Sequence, residues 1–294
     1  WHIHEVEGPS RIPIQDMGHL LQSKENFLSR YRTLEDGRIT TLFAGEPVQT
    51  EIGNCYMVSA MRSFKRSAHF RDFVATGIKE VRGANPGWEV RIPLASARTG
   101  SRWVFIRANQ LEQQTGDGPP VHIEDGAIGW RILEAAFAFH GPRAAANAGR
   151  ERKATEEGSS GEVYEFFFGR QGIRGLSPDI GSLDDGDPRR RWTREQVRGE
   201  LEEQLRTFDS NLHIGTASSE RGTRRYNVAL VGGGTFTILS YHIYTIEGVN
   251  AAARTITLSD PHHKGRPFTM TWNTYFTSFR TTNIYTLNIR ESFT

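Results

Sequence analysis

The chain has 294 residues, 37% of them hydrophobic and 24% charged, and its 36 basic and 34 acidic side chains leave a net charge of +2. That length can bury a sizeable core as one large domain or two packed lobes, and so small a bias in charge gives no reason to expect nucleic acid as a partner. The composition is too apolar for a disordered chain, yet it holds no uninterrupted apolar run of the length a membrane span requires.

The sequence opens at Trp1 with neither a charged leader nor an apolar h-region, as expected of a processed product or of one domain of a longer polypeptide. Its first helix candidate in chain order is "KENFLSRYRTL", residues 24–34. A second follows the sole cysteine, Cys55, where Met57, Ala60, Met61 and Phe64 recur at helical spacing and point to a buried helix starting near that residue. "GWEVRIPLA" and "SRWVFIRANQL" then read as the two arms of a hairpin. "GWRILEAAFAFHG" returns to helical periodicity and is expected to stop at Gly141.

Residues 142–186 are dense in Gly, Ser, Asp and Arg, with "EEGSSGE" expected to be a flexible loop and "EVYEFFFG" an apolar interruption. A lobe boundary is expected late in this stretch, giving a helical lobe over 1–180 and a β-rich lobe over 181–294. The basic tract "PRRRWTR" reads as a solvated loop and helix start. In the helix after it, Thr193 and Gln196 have capping-box spacing and Val197, Leu201 and Leu205 share a face. From "RRYNVALVGG" onward, "TFTILSYHIYTIEGV", "RTITLSDP", "PFTMTWNTYF" and "NIYTLNIR" all read as strands, and "VGGGT" as a strand connection or bulge rather than a phosphate-binding loop. The expected class is therefore α+β.

One cysteine cannot form an internal disulfide, so a reducing compartment is permitted but not required; the compartment stays open, with a soluble protein in a reducing, cytoplasmic environment favoured. Cys55 itself admits two readings. A lone thiol is usually a small buried apolar residue. It becomes a nucleophile when a helix N-terminus and a histidine favour the thiolate, and "QTEIGNCYMVSA" offers the first of these: Gly53 and Asn54 allow a tight entry to the helix. Gln49, six residues upstream, has an amide that could act as an oxyanion donor.

His242 lies within an apolar strand pattern and Asp260 ends what reads as the next strand, so antiparallel pairing would set them side by side. His2, His4, His262 and His263 lack a clustered third ligand and read as exposed loop histidines. "DDGDP", residues 184–188, lacks the spacing and terminal glutamate of an EF-hand calcium loop.

These blocks resemble, in order, the papain-like cysteine peptidases and most closely the calpain-type protease core. "QTEIGNCYMVSAM" resembles the segment carrying the family's glutamine and cysteine; "WRILEAAFAFHG" resembles its tryptophan and alanine-rich helix; "HIYTIEGV" resembles its histidine segment. "LSDPHHKG" stands where the family has Asn-Pro-Trp-Gly, and "FTMTWNTYFTSFRTTNIYTL" resembles its closing strand and helix. The similarity covers roughly residues 40 to 290.

The resemblance implies a two-lobed papain-like fold with its active site in the cleft between lobes. It also implies a thiol protease with Cys55 as nucleophile, His242 as general base, Asp260 as orienting acid and Gln49 in the oxyanion hole, acting on a protein or peptide substrate. No cofactor is required for that chemistry, although calcium regulation in the manner of calpains stays open. The chain departs from the family in having Asp260 for asparagine, Tyr56 for tryptophan, Tyr241 for the glycine before the histidine, and His262 for the tryptophan that shields the pair from water. The rival readings are glutamine deamidation or transglutamination on the same triad, and a catalytically inactive binding module.

Overall fold

The structure is a computed structural model that describes residues 42–49, 53–94, 100–111, 123, 127–156, 158–175, 193–219, 225–262 and 266–287. The helix expected over 24–34, His2, His4, His263, the acidic tract 184–188 and residues 188–192 of the basic tract lie outside them. So does the expected lobe boundary at 180/181.

Helix α1 (Cys55–Arg66) begins at the cysteine, and every residue from Cys55 to Phe64 is buried. A helix buried all round has to be covered by several elements at once. Helix α2 (His69–Gly77) follows it, and β1 (Ile78–Val81), β2 (Gly87–Pro93) and β3 (Ser101–Arg107) form a three-stranded antiparallel sheet in the order β1-β2-β3. The expected hairpin is the β2-β3 pair, with Gly87 opposite Arg107 and Pro93 opposite Ser101.

Helix α3 (Ile128–His140) stops at Gly141, as its sequence implies, but by a different device. Gly141 has φ −70°, outside the left-handed region, and its N–H donates to Phe137 O at 2.8 Å. A Cβ there would lie 2.3 Å from the Phe137 oxygen, so glycine is required by close approach rather than by dihedral.

The short helix α4 (Glu151–Thr155) precedes α5 (Ser160–Gly172), which takes up the end of the stretch expected to be loop. Val163, Tyr164, Phe167 and Phe168 fall on one face of α5 and are buried, and this apolar stripe decides for helix over loop. Strand β4 (Ile173–Gly175) runs straight on from α5, and α6 (Arg194–Arg206) has the anticipated capping box: Gln196 N donates to Thr193 Oγ1 at 3.2 Å and Thr193 N to Gln196 Oε1 at 2.8 Å.

The remaining strands are β5 (His213–Ser219), β6 (Arg225–Ala229), β7 (Thr235–Leu239), β8 (Ile243–Asn250), β9 (Thr255–Ser259), β10 (Pro267–Thr271) and β11 (Phe279–Leu287). Six strands make an antiparallel sheet in the order β10-β9-β8-β5-β11-β4, while β6 and β7 pair only with each other. The turn between β6 and β7 holds Gly232, Gly233 and Gly234 at φ 88°, 97° and 82°, so "VGGGT" is a strand connection.

One expected strand is partly helical. "PFTMTWNTYF" is β10 only as far as Thr271, whose hydroxyl accepts from Thr274 N at 3.3 Å and caps helix α7 (Trp272–Ser278). A threonine N-cap there outweighs the strand preference of Trp272, Tyr275 and Phe276.

Buried apolar side chains form two clusters. The first gathers α1, α2, α3, α5 and the three-stranded sheet around Phe64, Trp130 and Phe168, and the second gathers the six-stranded sheet, the β6-β7 hairpin and α7 around Tyr244, Leu258 and Tyr275. β5 and β11 serve both: Ile214 and Leu287 belong to the first cluster, Ala217 and Ile284 to the second. No helix among the described residues is long and apolar enough to cross a membrane.

Candidate active site

Cys55 is the first residue of α1, so its own backbone N–H has no partner within the helix and the positive end of the helix dipole meets its side chain. The turn before it is held from outside. Asn54 is fully buried and does not cap the helix with its side chain; Nδ2 donates to Glu134 Oε1 of α3 at 2.9 Å, while Glu134 Oε2 accepts from Ile123 N at 2.9 Å.

The polar residues of α1 lie in one stripe. Ser59 and Arg62 stand four and seven positions after Cys55, on its face of the helix. Ser59 Oγ donates to Ile243 O at 2.8 Å and Thr245 Oγ1 donates to Ser59 O at 3.1 Å, which lays this face along β8, next to the turn that carries His242.

His242 stands in that turn rather than inside a strand as its sequence implies. Its backbone exchanges hydrogen bonds with Ser219 at the end of β5: His242 N donates to Ser219 Oγ at 3.0 Å and Ser219 N to His242 O at 2.9 Å. The chain reverses here from the β6-β7 hairpin into the main sheet, and Tyr241 takes φ 55° to make the turn. Tyr241 is 68% exposed whereas His242 is 5% exposed.

The antiparallel pairing expected for His242 and Asp260 is present. β8 and β9 are paired with Thr245 opposite Ser259, and His242 Nε2 lies 2.9 Å from Asp260 Oδ1. Continuing the register sets His262 directly opposite His242, so Asp260 reaches the ring along the diagonal. Asp260 Oδ1 also accepts from His262 N at 2.8 Å.

Cys55 lies near enough to the His242 ring to act on its charge. With Nε2 committed to Asp260, Nδ1 is the nitrogen left for the thiol. Burial by itself pulls the imidazole pKa down, but the hydrogen bond to Asp260 and the charges of Asp260 and Cys55 outweigh it, and His242 is pushed up to about 9. Burial pushes the Asp260 carboxyl the other way, yet its bond to His242 and the His262 N–H hold it below the ordinary aspartate value.

Gln49 is buried and sits against the same turn, its backbone N–H donating to Pro261 O at 2.9 Å. Residues 50–52, which link it to the cysteine loop, lie outside the described residues. The structure therefore brings Cys55 beside the hydrogen-bonded His242–Asp260 pair and joins Gln49 to the same turn through the backbone.

Two participants are not apparent from sequence. Arg62 is 1% exposed and donates from Nε to Pro47 O at 2.8 Å, from one terminal nitrogen to Asp260 O at 2.7 Å and from the other to Pro261 O at 3.2 Å. The one signal in the sequence was its position in register with Cys55 on the polar stripe of α1. His262, expected as an exposed loop residue, is half-buried with its ring stacked on that of His242, centroids 4.9 Å apart at 7°. Its ring thus covers one face of the His242 imidazole. The Tyr244 ring closes another side of His242 edge-on, at 4.9 Å and 88°.

Tyr56 is buried behind the cysteine, its hydroxyl accepting from Arg143 at 3.2 Å, and desolvation drives its phenol well above the ordinary tyrosine value. Among the described residues no group of three or more His, Cys, Asp or Glu side chains could hold a metal ion. No protein-family model and no curated protein sequence matches the chain.

Proposed function

We propose that this chain is a cysteine endopeptidase with a papain-like, calpain-type architecture, in which α1 and the elements around it form one lobe and the six-stranded sheet the other. Substrate then lies in the cleft above the N-terminus of α1 and the turns carrying His242 and Asp260. The observation that carries the reading is a thiol at a helix N-terminus beside a buried, hydrogen-bonded imidazole–carboxylate pair.

In the reaction, the Cys55 sulfur, its proton already held on the His242 imidazolium, attacks the carbonyl carbon of a substrate amide. The carbonyl π electrons move to oxygen, where the Cys55 backbone N–H and the Gln49 side-chain amide hold the oxyanion. When the tetrahedral adduct collapses, the C–N bond breaks and His242 delivers its proton to the departing amine. Water attacks the resulting thioester, His242 accepts the water's proton, and the carboxylate product leaves as the C–S bond breaks. Asp260 holds the ring in the tautomer and orientation that both proton transfers need. A free catalytic thiol is best preserved in a reducing compartment.

The test is incubation of an unfolded protein substrate, with intact-mass and peptide-mass readout, alongside iodoacetamide labelling of Cys55. Chain fragments that disappear in Cys55→Ala, with the variant still cooperatively folded, support proteolysis. Intact substrate gaining about one mass unit per modified glutamine moves the reading to deamidation on the same triad. Loss of folding in Cys55→Ala returns the residue to a packing role.

A further inference from the structure

We infer that Arg62 is the positioning residue of this site: its guanidinium fixes the Asp260 turn and the Gln49 segment on the helix that carries Cys55. The inference rests on the proposed peptidase reading.

The geometry is that of a three-way clamp. Arg62 lies on the cysteine's face of α1 and spends its donors on backbone carbonyls from two remote segments, Pro47 on one side and Asp260 and Pro261 on the other. Pro47 is two residues before Gln49. Pro261 O accepts from both the guanidinium and Gln49 N, so the two segments meet at the arginine. Cys55 belongs to the helix, Gln49 and Asp260 to the clamped segments, and His242 is tied to Asp260 by its ring. One side chain is thus bonded to, or one step from, every group of the site.

A buried arginine is an expensive way to brace a loop. Burial pulls its pKa down, while Glu46, Glu247 and Asp260 oppose that and the neighbouring Arg66 adds to it. What a guanidinium offers over any apolar residue is a planar set of donors at fixed angles, which sets the carbonyls it binds in one relative position. Reacting groups displaced by about 1 Å lose on the order of 10²-fold in rate, so such a brace acts on chemistry before it acts on stability.

Arg62→Lys keeps the charge and offers a single donor centre in place of the planar fork. The experiment follows the rate of Cys55 alkylation by iodoacetamide across pH in parent, Arg62→Lys, Asp260→Ala and the double variant, each checked for cooperative unfolding. The parent should react faster at neutral pH than Asp260→Ala, whose imidazole is no longer held. In Arg62→Lys the rate at neutral pH should fall about tenfold or more, because the imidazole and thiol are no longer set in register. At pH well above the free-thiol value it should stay within about threefold of parent, because thiolate is then present without the histidine. A merely structural arginine would not move this ratio in folded protein.

In the Asp260→Ala background the lysine change should add little, because the turn it registers has already lost its function. If Arg62→Lys does not fold cooperatively, Arg62→Gln, an uncharged amide donor, takes its place. A folded Arg62 variant with the parental pH profile overturns the inference while leaving the peptidase reading intact. A parent that alkylates no faster than Asp260→Ala overturns the peptidase reading, and the inference with it.

Discussion

The His262 ring lies flat on the His242 ring, 4.9 Å between centroids and 7° between planes, and the His262 backbone N–H donates to the same Asp260 oxygen that holds His242. One residue therefore covers a face of the His242 ring and steadies the carboxylate beside it.

His262→Ala should lower turnover about tenfold or more by exposing a bond whose strength depends on a dry surrounding. His262→Trp should retain most of the activity, because an indole can cover the same face of the His242 ring. Initial rates against a peptide substrate over pH 5–8 separate the two variants; indifference to both would show that the stack has no catalytic consequence.

On the proposed reading, Asp260 should set the alkaline limb of activity. Raised to about 9, His242 stays protonated until the pH passes that value. Asp260→Asn keeps a polar group of the same shape but removes the charge that favours the imidazolium, so kcat/KM should decline at lower pH than in parent while activity survives in part. Asp260→Ala leaves the ring unheld and should cost on the order of 10²-fold or more.

Stability should follow the same proton. A histidine whose folded pKa is raised from 6.5 to about 9 contributes stability that is complete below the lower value and is lost as pH rises through the upper one. Urea melts of parent between pH 6 and 10 should show that decline, and Asp260→Asn should flatten it. An equal decline in the two proteins would place the linked proton on another group.

Gln49→Ala tests the oxyanion assignment. Removal of a donor aimed at charge that exists only in the transition state should reduce kcat by about 10²-fold and leave KM nearly unchanged. The backbone bond to Pro261 O survives the substitution, so the segment should keep its place. An effect confined to KM would take Gln49 out of the oxyanion hole.

Asn54→Asp sets a carboxylate against the buried Glu134, where Nδ2 now donates at 2.9 Å. One of the two acids must then hold a proton in the folded state, which raises a folded pKa above the ordinary value of about 4. The variant should be close to parent in stability at acid pH and lose ground as pH rises toward 7. Denaturant midpoints at pH 4 and pH 7 check this; a deficit independent of pH would point to lost packing instead.

Much of this protein was legible because it is local. The start of α1 at Cys55, the Thr193–Gln196 capping box, the β2-β3 hairpin and the strand pattern of the second half depend on residues a few positions apart, and periodicity and capping report those directly. The approach of His242 to Asp260 was legible for a related reason, since neighbouring strands joined by a short turn pair antiparallel. Where local signals conflicted, as at Thr271, the stronger strand preference of the aromatics pointed the wrong way and the cap prevailed.

What tertiary structure alone decided is which distant groups share a point in space. Arg62 meets Asp260 across 198 positions and Asn54 meets Glu134 across 80, and no periodicity carries information over such separations. His262 changed from an exposed histidine to the cover of the site because the β8-β9 register continues past the strand ends and sets its ring opposite His242. The sequence by itself determined which side chains could do the chemistry. Burial and register, set by packing the whole chain, decided which of them are brought together to do it.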